Sequence, residues 1–300
     1  MEEVADVRYL SLMLGSPVWR RRLEAEAASS AGQFNLSLGK LAPMPVALPP
    51  LSEQRRIVGA IEEALSKLDA GDAGLRAVRQ RLRRMRESVL AEMFGALEFT
   101  SPLDTLCDAI VDCPHSTAKF VVDGRPCVDT TCIEPGRVVM DRLRYVSEET
   151  WVKRVRRLVP QEGDIVFARE GTIGTAVSLP SGLDPCLGQR VMLMRPSGAL
   201  MSRFLEKALM SRPVRDQYRP LVAGSTAPHL NVRDVKALRL PLPPVAEQHR
   251  IVAEIDRQFS FIEAAERAVD AGLARSAALR RSILKAAFEG RLVPQDPSEI

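Results

Sequence analysis

Residues 48–58 read LPPLSEQRRIV, and residues 242–252 read LPPVAEQHRIV. Carried on without a gap, the register matches Ile61 with Ile255, Ser66 with Ser260, Ala77 with Ala271, Arg81 with Arg275, Leu90 with Leu284 and Phe94 with Phe288. Two copies at so long a period exclude a solenoid and point to duplication of a large unit. Each copy reads as one long helix opened by a proline pair, with Glu53 or Glu247 in its first turn, where negative charge favours the helix dipole. Ser52 is a candidate cap for the first copy; Ala246 cannot cap the second.

Apolar or small residues then recur at 3,4 spacing. The first stripe is Ile61, Ala64, Leu68, Gly71, Leu75, Val78, Leu82, Met85 and Val89. The second is Ile255, Gln258, Ile262, Ala265, Val269, Gly272, Ser276, Leu279 and Ile283. That is a coiled-coil seam, stronger in the first copy. Gly71, Ala265 and Gly272 would let two helices approach closely. At ~1.5 Å per residue each helix is roughly 65 Å long. Neither can hide its stripe alone, so each is the other's natural partner, more easily antiparallel than parallel. Ile61, Leu68, Leu75, Leu82, Val89, Ile255, Ile262, Val269, Leu279 and Ile283 are the expected interface residues, and a seam left open would serve self-association or a partner subunit.

Between the helices lies a mixed α/β (α+β) segment, with strand-like runs RPCVDTTCI, GRVVM, GDIVFARE, GTAVSLP and RVMLMRP. Helices are expected from Ser147, over Ala199 to Met210, and from Asn231 with Asp234 at the capping-box position. The linear segments are thus 1–47, 48–97 (first helix), 98–242 (globular) and 243–300 (second helix and tail). The opening residues 9–49 can be laid on residues 204–243 with a small gap, Leu36 on Leu230 and Leu41 on Val235. The chain therefore reads as opening inside the remnant of a first globular domain.

No apolar run approaches the ~20 residues of a membrane helix, and MEEVADVRYL carries acids where a secretory signal has bases. Five cysteines, odd in number and confined to residues 107–186, suit reduced thiols and the cytoplasm. Of 42 basic residues 35 are Arg, whose forks suit phosphates and guanine edges; G+C-rich coding explains the same bias. The excess of positive charge sits in the globular segment, with 20 basic against 16 acidic residues over 101–242. A nucleic-acid partner is permitted by this charge and not proved by it.

The order remnant, long helix, globular domain, long helix resembles the DNA-specificity subunit of type I restriction–modification enzymes. The motifs carrying the resemblance are PLPPVAEQHRIV, GDIVFAREGTIG, HLN at His229–Asn231 and the closing AFEGRLVPQDP; DCPHST at Asp112 is similar to one subtype of that family's target-recognition domain. It implies two target-recognition domains reading the halves of a split double-stranded DNA site. Helices between them would act as ruler and as docking surface for methyltransferase subunits. S-adenosylmethionine, ATP and Mg would then belong to the methyltransferase and the restriction/motor subunits, and this chain would hold no cofactor and no metal. It departs from the pattern in holding one complete recognition domain and a remnant, as a truncated gene, a mis-assigned start or a half-subunit that dimerises would.

The residues themselves offer little catalysis. No Asn/Asp-Pro-Pro-aromatic element, P-loop or carboxylate cluster with a nearby Lys occurs. Cys107, Cys113, His115, Cys127 and Cys132 lack paired C-x-x-C spacing, so buried thiols outweigh zinc. Gly171–Gly174 reads as a tight turn ahead of a phosphate loop, with Arg169, Glu170 and Thr172 beside it. Two hydroxyl-rich loops are candidates for reading bases: His115, Ser116, Thr117 and Lys119 in one; Ser225, Thr226 and His229 in the other; Arg190 joins them. Turn stabilisation by Ser and Thr is the bland alternative. Lys153–Arg157 reads first as a solvated helix face, then as a phosphate patch, and Arg79–Arg86 as a solvated or partner-facing run. Two other classes stay open: a fragment of a fused restriction–methylation enzyme, and a coiled-coil scaffold without affinity for DNA.

Overall fold

A computed structural model describes residues 5–30, 33–223, 226 and 228–294. In chain order, helices α1 (Val7–Leu14) and α2 (Pro17–Glu26), strands β1 (Ala28–Ser30) and β2 (Gln33–Asn35) and the turn-length α3 (Leu38–Leu41) lead into the 45-residue α4 (Leu51–Gly95). The globular segment follows as β3 (Ser101–Pro102), α5 (Leu103–Leu106), β4 (Cys107–Asp112), β5 (Phe120–Val121), β6 (Arg125–Val128), β7 (Ile133–Glu134), β8 (Arg137–Val138), β9 (Arg144–Val146) and α6 (Glu148–Arg154). It continues as β10 (Ile165–Ala168), β11 (Ala176–Ser178), β12 (Cys186–Leu187), β13 (Val191–Pro196), α7 (Ser202–Met210), α8 (Arg212–Val222), α9 (Val232–Lys236) and β14 (Arg239–Leu240), before the 44-residue α10 (Val245–Phe288). Packing divides the chain into two units that cut across the linear segments. One comprises residues 1–82 with 264–300, the other residues 83–263, so each long helix is shared.

In the first unit α1, α2 and the start of α4 enclose a core of Tyr9, Met13, Trp19, Ile57, Val58, Ile61 and Ala287. α4 and α10 run antiparallel here: Arg79 pairs with Asp270, and Arg280 donates to Asp69 at 2.5 Å. Gly272 sits against Leu75, and a Cβ there would lie 2.9 Å from Leu75 Cδ1. This is the close approach the small residue was expected to allow. Gly71 plays no such part, since a Cβ there would meet nothing within 4 Å.

The seam keeps every other residue of the expected stripe and takes the residue after each of the others. On α4 it runs Ile61, Leu65, Leu68, Asp72, Leu75, Arg79 and Leu82, all buried or half-buried, whereas Val78 is 40% exposed. On α10 it runs Val269, Leu273, Ser276, Arg280, Ile283 and Ala287, and Leu279 faces outward. Leu279 is therefore not an interface residue within the chain; the intervening Arg280 holds the seam position through Asp69.

In the second unit β11-β10-β13-β4 form one four-stranded antiparallel sheet and β12-β6-β9-β5 another, with β12 parallel to β6. Successive strand residues face opposite sides. Val166, Ala168, Val177, Val191 and Leu193 enter a core with Cys113, Val128, Cys132 and Leu187. Ile165, Phe167, Met192 and Met194 bury the other face, against which α7 packs. Burial on both faces explains why IVFA and VMLM are unbroken apolar runs rather than alternating ones.

The α7 start lies at Ser202 rather than Ala199, and Ser147 caps α6 by accepting from Thr150 N–H as expected. Asn231 precedes α9, but its side-chain amide donates to Asp234 at 3.0 Å and makes no capping bond to the backbone. Ser52 is no cap either, because α4 begins at Leu51. Within this unit Arg86 pairs with Glu263 at 3.6 Å, and Val89, Leu90, Ile255, Phe259 and Ile262 are buried; Met85 is half-exposed.

The duplication is visible in side-chain detail. Gln54 is fully buried, accepts from Asp6 N–H at 2.8 Å and donates to Pro49 O at 2.8 Å. Gln248 is fully buried, accepts from Met201 N–H at 2.8 Å and donates to Pro243 O at 2.9 Å. Helices α1, α2 and α3 thus stand in the first unit's sequence where α7, α8 and α9 stand in the second's, with Ser16 and Ser211 at corresponding cap positions. Among the described residues no helix is long and apolar enough to cross a membrane.

Candidate nucleic-acid interface

Strand β4 ends at Asp112, and β10 runs antiparallel across β13 so that Arg169, the residue after it, comes beside that end. The Arg169 guanidinium grips the Asp112 carboxylate in a fork, Nε to Oδ1 at 2.9 Å and Nη2 to Oδ2 at 3.2 Å, and donates from Nη1 to Leu230 O at 3.2 Å. Its backbone joins in: Arg169 N–H donates to Arg190 O at 3.0 Å, and Leu230 N–H donates to Arg169 O at 2.9 Å. Four stretches distant in sequence are thereby fastened together. They are the loop after β4, the β10–β11 turn, the β12–β13 connection and the segment before α9, where His229 bridges Glu170.

An open cleft of 530 Å³ lies over this junction, lined by His115, Arg169, Glu170, Gly171, Arg190, Pro228, His229 and Asn231. A smaller hollow of 210 Å³ adds Cys113 and Gln189. Arg190 and His115 expose 59% and 71% of their side chains. His115 Nε2 leans on Asp112 Oδ2 at 3.2 Å, and Glu170 stands 3.6 Å from Arg190 Nε. The rim thus offers donors and acceptors to solvent over a floor of protein-satisfied groups.

The expected residues separate into groups. His115, Glu170, Arg190 and His229 meet at the cleft. Ser116, Thr117, Lys119, Thr172 and Thr226 are exposed near it in sequence but do not line it. Ser225 lies outside the described residues. Arg169 lines the floor but is buried, and its fork is spent on Asp112 and Leu230; it positions the cleft rather than facing outward. Gly171 and Gly174 have φ of 68° and 87°, and Thr175 N–H donates to Thr172 O at 3.1 Å, so this element is the tight β10–β11 turn. Gly174 admits no side chain, since a Cβ would fall 1.9 Å from Tyr218 Oη.

Three contributors escaped the sequence reading. Asp112, one letter of the DCPHST motif, receives the Arg169 fork. Gln189 spans the loops, donating to His115 O at 3.0 Å. Arg154, in the Lys153–Arg157 run expected to be a solvated helix face, is buried and donates to Leu187 O at 2.6 Å, Ser116 O at 3.1 Å and Pro114 O at 3.5 Å. Its neighbour Lys153 does lie on the exposed face, paired with Glu149 at 2.6 Å. A signal was present: Arg154 falls one turn after Thr150 on a helix whose Trp151 faces inward, but a basic run masked it.

The cysteines are buried thiols, apart from the half-buried Cys107. Burial pushes the Cys107 thiol up to about 12 and raises those of Cys113 and Cys132. Cys127 and Cys186 are register partners across β6 and β12, and their mutual hydrogen bond raises the first and lowers the second. Among the described residues no three His, Cys, Asp or Glu side chains group as a metal site.

Residues 144–269 match the family described as the type I restriction modification DNA specificity domain. The chain is 28% identical to the EcoBI specificity subunit of Escherichia coli, over 83% of this chain and 58% of that protein. It is 24% identical to the EcoKI specificity subunit of Escherichia coli strain K12, over 93% of this chain and 64% of that protein. It thus spans about three-fifths of the length of these relatives. Among solved structures, a chain reported under the structural basis of complex assembly and conformational transition of the type I R-M system superposes with a TM-score of 0.64. That match has 22% identity and covers 96% of this chain and 72% of that one, and it shows a shared fold.

Proposed function

We propose that the chain is a specificity subunit of the type I restriction–modification kind, that it binds double-stranded DNA sequence-specifically, and that it reads one half-site through the cleft over Arg169 and Asp112. The observation that carries this is the convergence of four separate stretches on one open surface, with His115, Glu170, Arg190 and His229 directed at its opening. Phosphate contacts would place the duplex and these side chains would read base edges.

In this reading the chain supplies recognition and no bond-making of its own. Methyltransferase and restriction/motor subunits would bring S-adenosylmethionine, ATP and Mg. The seam between α4 and α10 is closed within each unit, so a partner subunit would use outward residues instead: Val78 and Leu279 in the first unit, Met85 and Phe261 in the second. Five unpaired thiols favour a reducing compartment such as the cytoplasm.

The test is a binding titration with a randomised duplex pool, followed by sequencing of the bound fraction at several salt concentrations. Affinity should fall steeply as salt rises, and one half-site should be enriched. Binding without enrichment at any salt contradicts the proposal.

A further inference from the structure

Arg190 is, among the described residues, the one non-glycine residue with positive φ, 69°. Such a backbone persists only where its surroundings over-determine it, and clusters at functional positions. Both sides of it are clamped here. Before it, Gly188 N–H donates to Val128 O at 2.7 Å, and a Cβ on Gly188 would lie 2.5 Å from Asp129 Cβ. After it, the fully buried Val191 accepts from Cys113 N–H at 3.3 Å, while Arg190 O itself accepts from Arg169 N–H. The strained residue nevertheless sends its side chain into solvent, where its one partner among the described residues is Glu170 Oε2 at 3.6 Å. Packing of the Arg190 side chain does not account for the strain; its direction of presentation does.

What is presented is a donor fork beside a carboxylate. In the major groove, guanine shows two acceptors, O6 and N7, and its paired cytosine shows the N4 amino donor. O6 and N4 are hydrogen-bonded to each other and so lie roughly 3 Å apart. A donor and an acceptor 3.6 Å apart on one rim match that edge. An A·T pair would set the adenine amino group against the guanidinium and thymine O4 against the carboxylate. We infer that Arg190 and Glu170 together read one G·C pair from the major groove, Arg190 at guanine O6 and N7 and Glu170 at cytosine N4. This rests on the reading of the cleft as a DNA interface.

The test uses the half-site enriched by the wild-type chain, with base analogues at each G·C position. At one position 7-deazaguanine, which lacks N7, should weaken wild-type binding by about tenfold or more. N4-methylcytosine, whose free amino hydrogen is replaced, should do the same. Inosine, which keeps both guanine acceptors, should be tolerated. Arg190→Met, which has no donor, should be indifferent to 7-deazaguanine, and Glu170→Ala, which has no side-chain acceptor, to N4-methylcytosine, at that same position. A specific half-site in which no G·C position shows this pairing of analogue with variant overturns the inference and leaves DNA reading intact. Failure to enrich any half-site overturns both.

Discussion

Tyr9 meets Phe288 edge-on, with ring centroids 5.4 Å apart and planes at 65°, joining the opening helix α1 to the last turn of α10 inside the first unit. The second unit holds the counterpart: Phe94, at the end of α4, lies 5.3 Å from Phe204 on α7. Each long helix thus ends on an aromatic residue of a short helix that occupies the same place in its own repeat. Truncating Tyr9 to Ala should destabilise the first unit by about 3 kcal/mol. A double-mutant cycle with Phe288→Ala should show coupling of about 1 kcal/mol. Urea unfolding followed by limited proteolysis after α1 checks this; additive effects would mean the rings do not support one another.

Gly272 sets how closely α4 and α10 pack in the first unit. Gly272→Leu should force the pair apart at Leu75 and lower stability by about 2 kcal/mol, as overpacking does. Leu75→Ala in the same chain should restore part of the loss. Thermal unfolding of the single and double variants measures both. Equal damage with and without Leu75→Ala would show that the two residues do not meet.

The helices, their ends and their pairing were legible because the repeat fixed the register and the aligned prolines marked both starts. Every other seam position (Ile61, Leu68, Leu75 and Leu82 on α4; Val269, Ser276 and Ile283 on α10) is where the stripe places it, and the positions between fall one residue later. Asp72 and Arg79 occupy seam sites on α4, and Arg280 does so on α10, so an apolar stripe through Val78 and Leu279 looked continuous. Buried strands were recognisable as apolar runs, but β4 was not, because CDAIVD carries charge at both ends. The cleft was half legible: its exposed His115 and Arg190 stood out by type, whereas Arg154, Arg169 and Asp112 revealed their inward roles only through long-range partners.

Gly174 faces Tyr218 Oη across the base of the β10–β11 turn. Gly174→Ala adds a Cβ at positive φ as well as a clash, and should cost about 2–3 kcal/mol. Tyr218→Phe should recover a fraction only, because the ring carbon Cζ would still lie 3.0 Å away. Thermal denaturation of the two variants and their combination checks this, full recovery being the contrary result.

Arg154 ties the β4–β5 loop to the end of β12. Arg154→Met keeps the aliphatic stem and removes the donors, leaving carbonyls unpaired at a loss of about 2 kcal/mol. The loosened loop should reduce discrimination between the enriched half-site and random DNA, while the salt slope of non-specific binding changes little. Anisotropy titrations on both duplexes give the ratio; an unchanged ratio would show that Arg154 supports the fold alone.

If the cleft over Arg169 and Asp112 reads DNA, the duplex lies against it. Photo-crosslinking of the chain to a duplex carrying the enriched half-site, with crosslinked peptides identified by mass spectrometry, reports this in one experiment. Crosslinks should concentrate at residues 113–119, 169–172, 189–190 and 226–231. Crosslinks confined to α4 and α10, or none above those of an unrelated duplex, would contradict it.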